Sequence, residues 1–570
     1  MEIIDTLIDK NFVLHNTTRT WQFKSDYLFT PSSLRGVRHC VLRAEQDGKR
    51  IRATGSQHSY SKICGDEGIY IISLSAAHPY HENSEFDVNF HNHTVDKIDQ
   101  SPINLLKDET ELPVKPEYYI NVPAGLKIHM LNTILCPDKP HQKARFGRKR
   151  LFNMGGGDVQ SVAGALATGT HGSGGKISSY HDAVRSILIV ASGGRIIRVE
   201  PTNGITDPEK HKAHFENAGA DEKEELIQND KYFYSCLINL GCFGIVFSVI
   251  MEVTDMSNLH EDVYYRQHAW GTQSLRDSII AKAEQMATGD EELYYYVYLN
   301  PHSTDGVNAV SCNEKIVVKT DKPISGKAKF RKRWPSFLAM LDPAAEITQN
   351  LVNNNAQPCA DLIEKALVMI NDNVDTAFGG YTDIAYKVWN TGAGELKTMG
   401  TGIEFAFPYS IETIDTVMGH VLNIMKAFAQ RSTPYYLNSP IAVRFAKSSE
   451  AYMATNYKYY KGKEYNLWCY FELTCIHNNT TEGQLKEAEL YNFLQDYLHT
   501  EDDATGKLAG RPHWGLNFNF KFNKNMVKAL YPEFDTWLEA FKFFNQSQVF
   551  DCSFTDSLEL RSAVVEDLIA

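Results

Sequence analysis

The chain has 570 residues, of which 43% are hydrophobic and 22% are charged. This mixture is typical of a globular protein and excludes wholesale disorder. Lys and Arg number 57 against 70 Asp and Glu, so the formal charge is −13. Binding to nucleic acid or to an anionic membrane would therefore need a local basic face. At about 150 residues per domain, the length allows roughly four domains or two large ones.

The cysteines and the chain termini indicate a reduced, cytoplasmic protein. None of the ten cysteines forms a C-x-x-C pair, and they are too thinly spread for a disulfide scaffold. The N-terminus lacks the basic and apolar regions of a signal peptide. Residues 232–251 carry no charge, but Asn239, Gly241 and Gly244 interrupt them. We interpret this stretch as a helix end, a glycine turn and a buried strand, and we expect no integral membrane segment.

Hydrophobic patterning predicts strands and helices that alternate along the chain. The predicted strands are residues 27–29, 49–53, 120–125 (with its turn), 184–190, 194–199, 293–299 and 315–318. The predicted helices are residues 34–44, 126–135 and 411–428. The charged residues 203–230 are expected to form a loop or an exposed helix.

Two polar segments raise the question of a metal or a phosphate partner. Residues 80–118 resemble an insertion, and their His81, His91 and His93 have no carboxylate or cysteine at ligand spacing. We therefore expect solvated loop histidines and no metal site. The basic cluster at residues 327–333 could contact phosphate, but a solvated turn is the better interpretation in so acidic a chain. No nucleic-acid partner is expected.

Two glycine-rich segments carry most of the chemical signal. The first, Thr54-Gly55-Ser56-Gln57-His58-Ser59, directly follows a predicted strand. Small residues in a tight turn expose successive N–H groups, which suit a pyrophosphate. The second runs from residue 153 to residue 175, and its glycines suggest close backbone approach to a flat or extended ligand. It is neither a Rossmann fingerprint nor a P-loop, since Gly175-Lys176 is followed by Ile177.

Four motifs in the family's order, together with a weaker fifth one, resemble the FAD-linked oxidases of the vanillyl-alcohol oxidase family, which share the PCMH-type FAD-binding fold. Within it, the chain most resembles the aldonolactone and alditol oxidase branch, which includes D-arabinono-1,4-lactone oxidases. The motifs are the turn with His58-Ser59, the run Val162-Ala163-Gly164 to Thr168-Gly169-Thr170-His171-Gly172-Ser173-Gly174, the segment Leu240-Gly241 to Gly244-Ile245-Val246, the sequence Arg511-Pro512-His513-Trp514-Gly515, and the weaker Val443-Arg444-Phe445.

The resemblance implies an α+β fold with two domains. Residues 1–254, with a return segment at 509–570, would form the FAD-binding domain. Residues 255–508 would form a substrate-binding cap domain with an antiparallel sheet and flanking helices.

The resemblance also implies where FAD binds. The turn histidine, here His58, would be bonded covalently to the flavin. No cysteine lies between Arg145 and Gly175, so a second covalent link is not expected. The other residues implied to bind the cofactor are Ala53, Thr54, Gly55, Ser56, Gln57, Ser59, Gly155, Gly156, Ser161, Gly164, Thr168, Gly169, Thr170, His171 and Val246.

The chemistry implied is oxidation of a CH–OH group of an alcohol, polyol or sugar lactone, with hydride transfer to flavin N5. Arg444 would stabilise the developing alkoxide, and Glu404 or His513 would act as the base. Gly155 would leave oxygen a path to the flavin, which favours an oxidase that forms hydrogen peroxide. The alternatives are a dehydrogenase of the same family with another electron acceptor and a flavin-binding protein without catalysis.

The substrate side departs from the branch. Sugar-type members carry Glu-x-Arg, whereas here Ala442 precedes Arg444, and they carry Lys where this chain has Leu516. A histidine and a threonine of alditol oxidation align with Tyr470 and Glu472. Losing two charged anchors predicts a more apolar site, or one that uses other polar groups. The candidates for that role are Glu404, Tyr470, Glu472 and Asn517.

Overall fold

The computed structural model describes most of the chain. The described residues are 5–74, 99–137, 144–269, 273–289, 292–302, 309–324, 350, 352–353, 361–365, 367–368, 380–390, 400–502, 504, 507–518 and 523–560. The three histidines at 81, 91 and 93 and the basic cluster at 327–333 lie outside these residues, so the expectations for them stay predictions.

The strands, in chain order, are β1 (Thr6–His15), β2 (Gln22–Pro31), β3 (Ile51–Thr54), β4 (Tyr70–Ser73), β5 (Tyr119–Pro123), β6 (Lys149–Arg150), β7 (Val184–Val190), β8 (Ile196–Glu200), β9 (Glu224–Gln228), β10 (Ile245–Glu252), β11 (Thr254–Asp255), β12 (Asn258–Ala269), β13 (Leu293–Leu299), β14 (Ala309–Thr320), β15 (Tyr381–Ile384), β16 (Gly400–Pro408), β17 (Ile441–Lys447), β18 (Tyr459–Tyr460), β19 (Lys463–Glu464), β20 (Leu467–Ile476) and β21 (Arg511–Pro512).

The α-helices are α1 (Leu34–Gln46), α2 (Ile128–Leu135), α3 (Val162–Ala167), α4 (Pro208–Phe215), α5 (Asp230–Leu237), α6 (Gln273–Thr288), α7 (Ala385–Trp389), α8 (Ile411–Ala429), α9 (Thr481–His499), α10 (Lys524–Leu530), α11 (Phe534–Phe544) and α12 (Ser553–Ser557). Among the described residues, no helix combines the length and the apolarity needed to cross a bilayer.

The N-terminal sheet contains the predicted strand–helix–strand opening. Its strand order is β1-β2-β4-β3, with β4 parallel to both β2 and β3. The helix α1 begins where the side chain of Ser33 accepts a hydrogen bond from the Gly36 N–H at 3.0 Å, as a helix cap does. The strand β3 lies at one edge of this sheet and ends at Thr54. The first glycine-rich turn therefore begins at that edge.

A second sheet, with the order β5-β10-β7-β8-β9, contains the predicted hairpin of β7 and β8. The expectation of a loop or exposed helix at residues 203–230 is wrong in part, because β9 lies there and pairs in parallel with β8. The charged residues of this segment suggested exposure, which is why the strand was not predicted. In the structure Glu224 is buried, and it is paired with Arg198 at 2.5 Å and His211 at 3.0 Å.

The uncharged stretch at residues 232–251 folds as predicted. The helix α5 ends at Leu237, a turn follows in which Leu240 and Gly241 have φ of 51° and 69°, and β10 begins at Ile245. The buried guanidinium of Arg52 donates to the Leu240 carbonyl at 2.7 Å and to the Phe550 carbonyl at 2.8 Å. Arg52 thereby joins β3, the glycine turn and the C-terminal return segment.

The largest sheet is antiparallel, as expected for the cap. Its strand order is β15-β12-β14-β13-β17-β20-β16-β21, and one face packs against α6, α8 and α9. Side chains alternate across the sheet, so Tyr295 faces these helices whereas Tyr294 and Tyr296 face the other way and join the core shared with the N-terminal sheets. The return segment contributes β21 to this sheet. The predicted domain boundaries stay predictions.

The end of the second glycine-rich run packs against the cap sheet. The Gly174 N–H donates to the Phe445 carbonyl at 2.5 Å, and the Gly175 N–H donates to the Leu293 carbonyl at 2.8 Å. The hydroxyl of Ser173 accepts from the Phe445 N–H at 2.9 Å. A Cβ at Gly174 would collide with the Leu293 carbonyl oxygen. The glycines in this part of the run allow close approach of another strand of the protein.

We expect Gly174→Ala to destabilise the fold more than Gly193→Ala. Both glycines have a left-handed backbone, with φ of 70° and 71°, which costs an alanine about 1–2 kcal/mol. A Cβ at Gly193 meets nothing within 4 Å. At Gly174 the collision adds about 1–3 kcal/mol. Urea unfolding of both variants measures the difference, and equal midpoints would contradict this packing.

Candidate active site

The turn at residues 54–59 is a tightly built cradle. Gln57 has a left-handed backbone with φ of 56°, and its carbonyl accepts from the Thr17 N–H at 2.9 Å. The hydroxyl of Ser56 and the side-chain amide of Gln57 are buried and have no hydrogen-bond partner among the described residues. A Cβ at Gly55 would overlap the Ser161 hydroxyl. The turn therefore meets the second glycine-rich run and holds polar groups ready for a ligand.

His58 is part of this turn, and some of its surface is accessible. Burial, together with a smaller effect of the nearby Lys127 ammonium, lowers the pKa of His58 to about 4. The imidazole is therefore neutral near pH 7, which leaves one ring nitrogen with a free lone pair.

The second run surrounds the cradle from the other side. Ser161 precedes α3, Gly164 is crowded by the Ser161 hydroxyl, and Thr168 donates to the Gly164 carbonyl at 3.0 Å. Gly169 has φ of 77°, which lets the chain turn toward Thr170. Val246 lines a small apolar cavity that reaches α3, and the other lining residues are Ala163, Leu166, Ile187, Cys236, Leu237, Asn239 and Val249.

Gly155 is packed on both sides. Its N–H donates to the Tyr180 hydroxyl at 3.2 Å, and a Cβ there would lie 3.1 Å from the Thr170 methyl group. Gly156 follows it in the same segment, between the two ends of the run. A larger side chain at 155 would have to push Thr170 aside.

Arg444 is the centre of a charged cluster on the face of the cap sheet that lies opposite the three helices. Its Nη2 donates to Glu404 Oε1 and to Glu472 Oε2, each at 2.6 Å. The three residues lie on β17, β16 and β20, where Glu404 is directly opposite Glu472. Nε of Arg444 is buried without a partner in the described part of the chain.

The two carboxylates differ in burial and in electrostatics. The side chain of Glu404 is 2% exposed and that of Glu472 is 25% exposed. Burial would raise the pKa of Glu404, but Arg444 and His171 outweigh burial and hold it well below its usual range. Burial raises the pKa of Glu472, Arg444 opposes this, and the charge of Glu404 adds to it. One carboxylate is thus fixed as an anion, and the other is closer to titration.

His171 connects the glycine-rich run to this cluster. Its Nδ1 contacts the Gly172 carbonyl at 2.8 Å, and its Nε2 lies 3.3 Å from Glu404 Oε2. The ring packs on Tyr470, with 3.8 Å between centroids. The Tyr470 hydroxyl is paired with Thr455 at 2.9 Å. Tyr470 therefore holds His171 in place.

His513 lies next to the same cluster. Its backbone N–H donates to the Glu404 carbonyl at 2.9 Å, and its Nδ1 accepts from the Gly515 N–H at 3.1 Å. Burial lowers the pKa of His513 to about 4, which Glu404 opposes. Among the described residues, His171, Glu404 and His513 bring three possible metal-ligand atoms within 4.8 Å of one another. Arg444 already neutralises Glu404 there, and we keep the prediction of no metal.

The sequence offered Glu472 as one of four candidates to replace the missing anchors, but it did not show that this carboxylate lies on the strand next to Ala442. Glu472 is directly opposite Ala442 across β17 and β20, and it bonds the same arginine. The signal was present in β20, where Tyr470, Glu472 and Thr474 place a polar group at every second position of an apolar strand. Asn517 binds the Thr401 hydroxyl at 2.5 Å and so anchors the return segment to β16.

Comparison with known proteins agrees with this architecture. The family model of D-arabinono-1,4-lactone oxidase matches residues 354–558. An L-gulono-1,4-lactone dehydrogenase from Mycobacterium tuberculosis is 21% identical over 85% of each chain. A D-arabinono-1,4-lactone oxidase from Candida glabrata is 25% identical over 91% of this chain and 87% of its own.

Solved structures show the same fold. Cholesterol oxidase from B. sterolicum superposes with a TM-score of 0.67 and 15% identity, covering 97% of both chains. A VAO-type flavoprotein from Myceliophthora thermophila gives a TM-score of 0.53 with 12% identity, covering 92% of this chain and 78% of that one.

These solved structures therefore confirm the predicted two-domain α+β fold. The resemblance to the aldonolactone oxidase branch is confirmed by the family model and by the two lactone-enzyme relatives.

The residues present fit FAD, the cofactor that the resemblance implies. The unpaired Ser56 hydroxyl and Gln57 amide can bond a polar cofactor, and the crowded glycines at 55 and 164 leave no room for side chains in the cradle.

We expect Glu404→Gln to destabilise the protein by about 3–5 kcal/mol near pH 7, because it breaks a buried ion pair. The pKa of Glu404 is below the ordinary 4.5, so its carboxylate stabilises the fold above 4.5. This contribution is lost as the pH falls through the lower folded-state value.

Urea unfolding at several pH values measures this loss, and the difference between wild type and variant should shrink on acidification. Glu450→Gln is the control, because its exposed pair with Lys458 at 2.8 Å is worth less than about 1 kcal/mol. Equal losses for both variants would contradict the buried pair.

Proposed function

We propose that this chain is an FAD-dependent oxidase that converts the CH–OH group of a neutral alcohol, polyol or sugar-lactone-like substrate to a carbonyl, with oxygen as the electron acceptor. The observation that carries the proposal is the Arg444 cluster, on the face of the cap sheet that lies opposite the three helices. The names of the lactone relatives and of the structural neighbours support the same reaction class.

Arg444 is suited to stabilise an alkoxide. Only Nη2 bonds the two glutamates, so Nη1 and Nε have no acceptor among the described residues. A substrate oxygen would accept hydrogen bonds from these N–H groups in a site with little water. When bound, FAD supplies the acceptor for the carbinol hydride and passes the electron pair to oxygen, which gives hydrogen peroxide.

The charge balance of the cluster favours an uncharged substrate. One guanidinium serves two carboxylates, so the group carries a net negative charge when both are ionised. A 2-hydroxy acid anion would be repelled, whereas a neutral alcohol can accept from Arg444 and donate to a carboxylate. Ala442 and the half-buried Leu516 make the walls less polar than a Glu and a Lys would.

A dehydrogenase that uses another electron acceptor is the second candidate, because the Mycobacterium relative is named a dehydrogenase. Gly155 favours the oxidase, since it places no side chain beside Thr170. We keep a cytoplasmic location as part of the proposal.

A panel of alcohols tests the proposed function. Anaerobic flavin bleaching is measured with L-gulono-1,4-lactone, D-arabinono-1,4-lactone, xylitol and cholesterol, and peroxide is measured in air. We expect at least one to bleach the flavin and to yield one peroxide per turnover. Dye reduction without peroxide would favour the dehydrogenase, and no bleaching by any alcohol would contradict catalysis on CH–OH groups.

We also propose that FAD is attached covalently through His58, because a neutral imidazole at the cradle can attack the flavin as a nucleophile. Acid-precipitated wild-type protein should stay yellow, and His58→Ala should release its flavin on denaturation. The control is His214→Ala on the exposed face of α4, which should stay yellow. Loss of all flavin from denatured wild-type protein would overturn the assignment.

A further inference from the structure

We propose that Glu472 is the base that takes the hydroxyl proton of the substrate, acting beside Arg444. The inference rests on the proposed function, since it assigns a step in the same oxidation. It differs from the assignment of the base to Glu404 or His513.

The first argument is the unequal surroundings of two carboxylates that share one arginine. Both receive a 2.6 Å hydrogen bond from Arg444 Nη2. The second oxygen of Glu404 lies 3.3 Å from His171, and this side chain is 2% exposed. Glu472 is 25% exposed, and Arg444 is its only hydrogen-bond partner in the described part of the chain. Glu472 therefore keeps one carboxylate oxygen available to a substrate.

The second argument is position on the sheet. Glu472 is directly opposite Ala442 on β17, and Ala442 is directly opposite Tyr298 on β13. Ala442 presents only a methyl group between Tyr298 and Glu472, on the face where Arg444 also lies. Tyr60 reaches the same place from the turn that carries His58, close enough for the charge of Glu472 to raise the pKa of its buried phenol further. Glu472 thus lies between the cap sheet and the cofactor cradle.

The other titratable groups around the cluster are less suited to accept a proton. In neutral His513, Nδ1 accepts the Gly515 N–H, so the proton is on Nε2 and no lone pair is free. Glu404 is held ionised by Arg444 and His171, which makes it a weak base. Burial raises the pKa of Tyr470 well above its usual value, so it stays protonated. Glu472 combines an accessible oxygen with a raised pKa, which brings it nearer to the working pH.

The step balances as follows. The substrate oxygen accepts hydrogen bonds from Arg444 while its O–H bond breaks and the proton moves to Glu472. The carbinol C–H bond breaks with its electron pair, which leaves as hydride to the acceptor that FAD supplies, and the C=O bond forms. Glu472 then returns the proton to water through its exposed side.

The test compares Glu472→Gln with wild-type holoenzyme under anaerobic conditions. The probe is L-gulono-1,4-lactone, or the member of the alcohol panel that bleaches the wild-type flavin fastest. We expect the flavin-reduction rate at saturation to fall by about 10²–10⁴-fold and its acidic limb to disappear from the pH profile. Substrate dissociation constant and ligand-induced thermal shift should change little, since glutamine still forms hydrogen bonds.

Two further variants keep the test decisive. Glu472→Asp retains a carboxylate, so it should keep the acidic limb even at a reduced rate, and it serves if the glutamine variant fails to fold. Glu450→Gln, far from the cluster on the surface, should match wild type.

A normal rate and acidic limb in Glu472→Gln, or loss of that limb in Glu472→Asp, would overturn the assignment while the wild-type flavin still bleaches. If no alcohol bleaches the wild-type flavin, the proposed function itself falls, and this inference falls with it.

Discussion

The carboxylate of Glu404 lies in the protein interior, and an unpaired charge there would cost several kcal/mol. Two side chains from distant parts of the chain compensate this buried charge. His171 comes from the glycine-rich run, and Arg444 comes from a central strand of the cap sheet. Because both contact the same carboxylate, the glycine-rich run and the cap sheet are held together at this point. Tyr470, packed on His171, and the glycines that admit the cap strands support the same join.

The ion pair between Glu404 and Arg444 also positions the side chains of the candidate site. Arg444 is oriented by Glu404, and its Nε is buried without an acceptor among the described residues. Glu472 completes the group as a more accessible carboxylate. The guanidinium of Arg444 therefore contacts two carboxylates with different roles. Glu404 holds the structure together, and Glu472 is the one proposed to exchange a proton. The change from Glu to Ala at 442 removes no carboxylate from the site, since the opposite strand provides one.

Local patterns in the sequence predicted much of the fold. The helix at Leu34–Gln46 follows from its apolar spacing and the Ser33 cap, and the glycine turn after Leu237 follows from residues that tolerate a left-handed backbone. The strand at Glu224–Gln228 was missed because its glutamate is buried by Arg198 and His211, partners that only the fold brings close. Periodicity reports on neighbouring residues, and these contacts join residues far apart in the chain.

In the candidate site, too, local motifs were predictable from the sequence and long-range contacts were not. The motifs identified the cradle around His58 and the arginine at 444, because their residue types carry the chemistry directly. They did not show that Gly174 and Gly175 admit strands of the cap, and they offered Glu472 only as one of four candidates without placing it opposite Ala442. Both depend on strand register, which a single sequence does not specify over such separations.

A crystal structure of the FAD-loaded protein with its alcohol substrate, in the absence of oxygen, tests the central claim most directly. The account predicts the carbinol oxygen within about 2.6–3.2 Å of both Arg444 and Glu472, between the cap sheet and the flavin ring. An alcohol bound away from these side chains, or a flavin ring that does not face the Arg444 cluster, would contradict it.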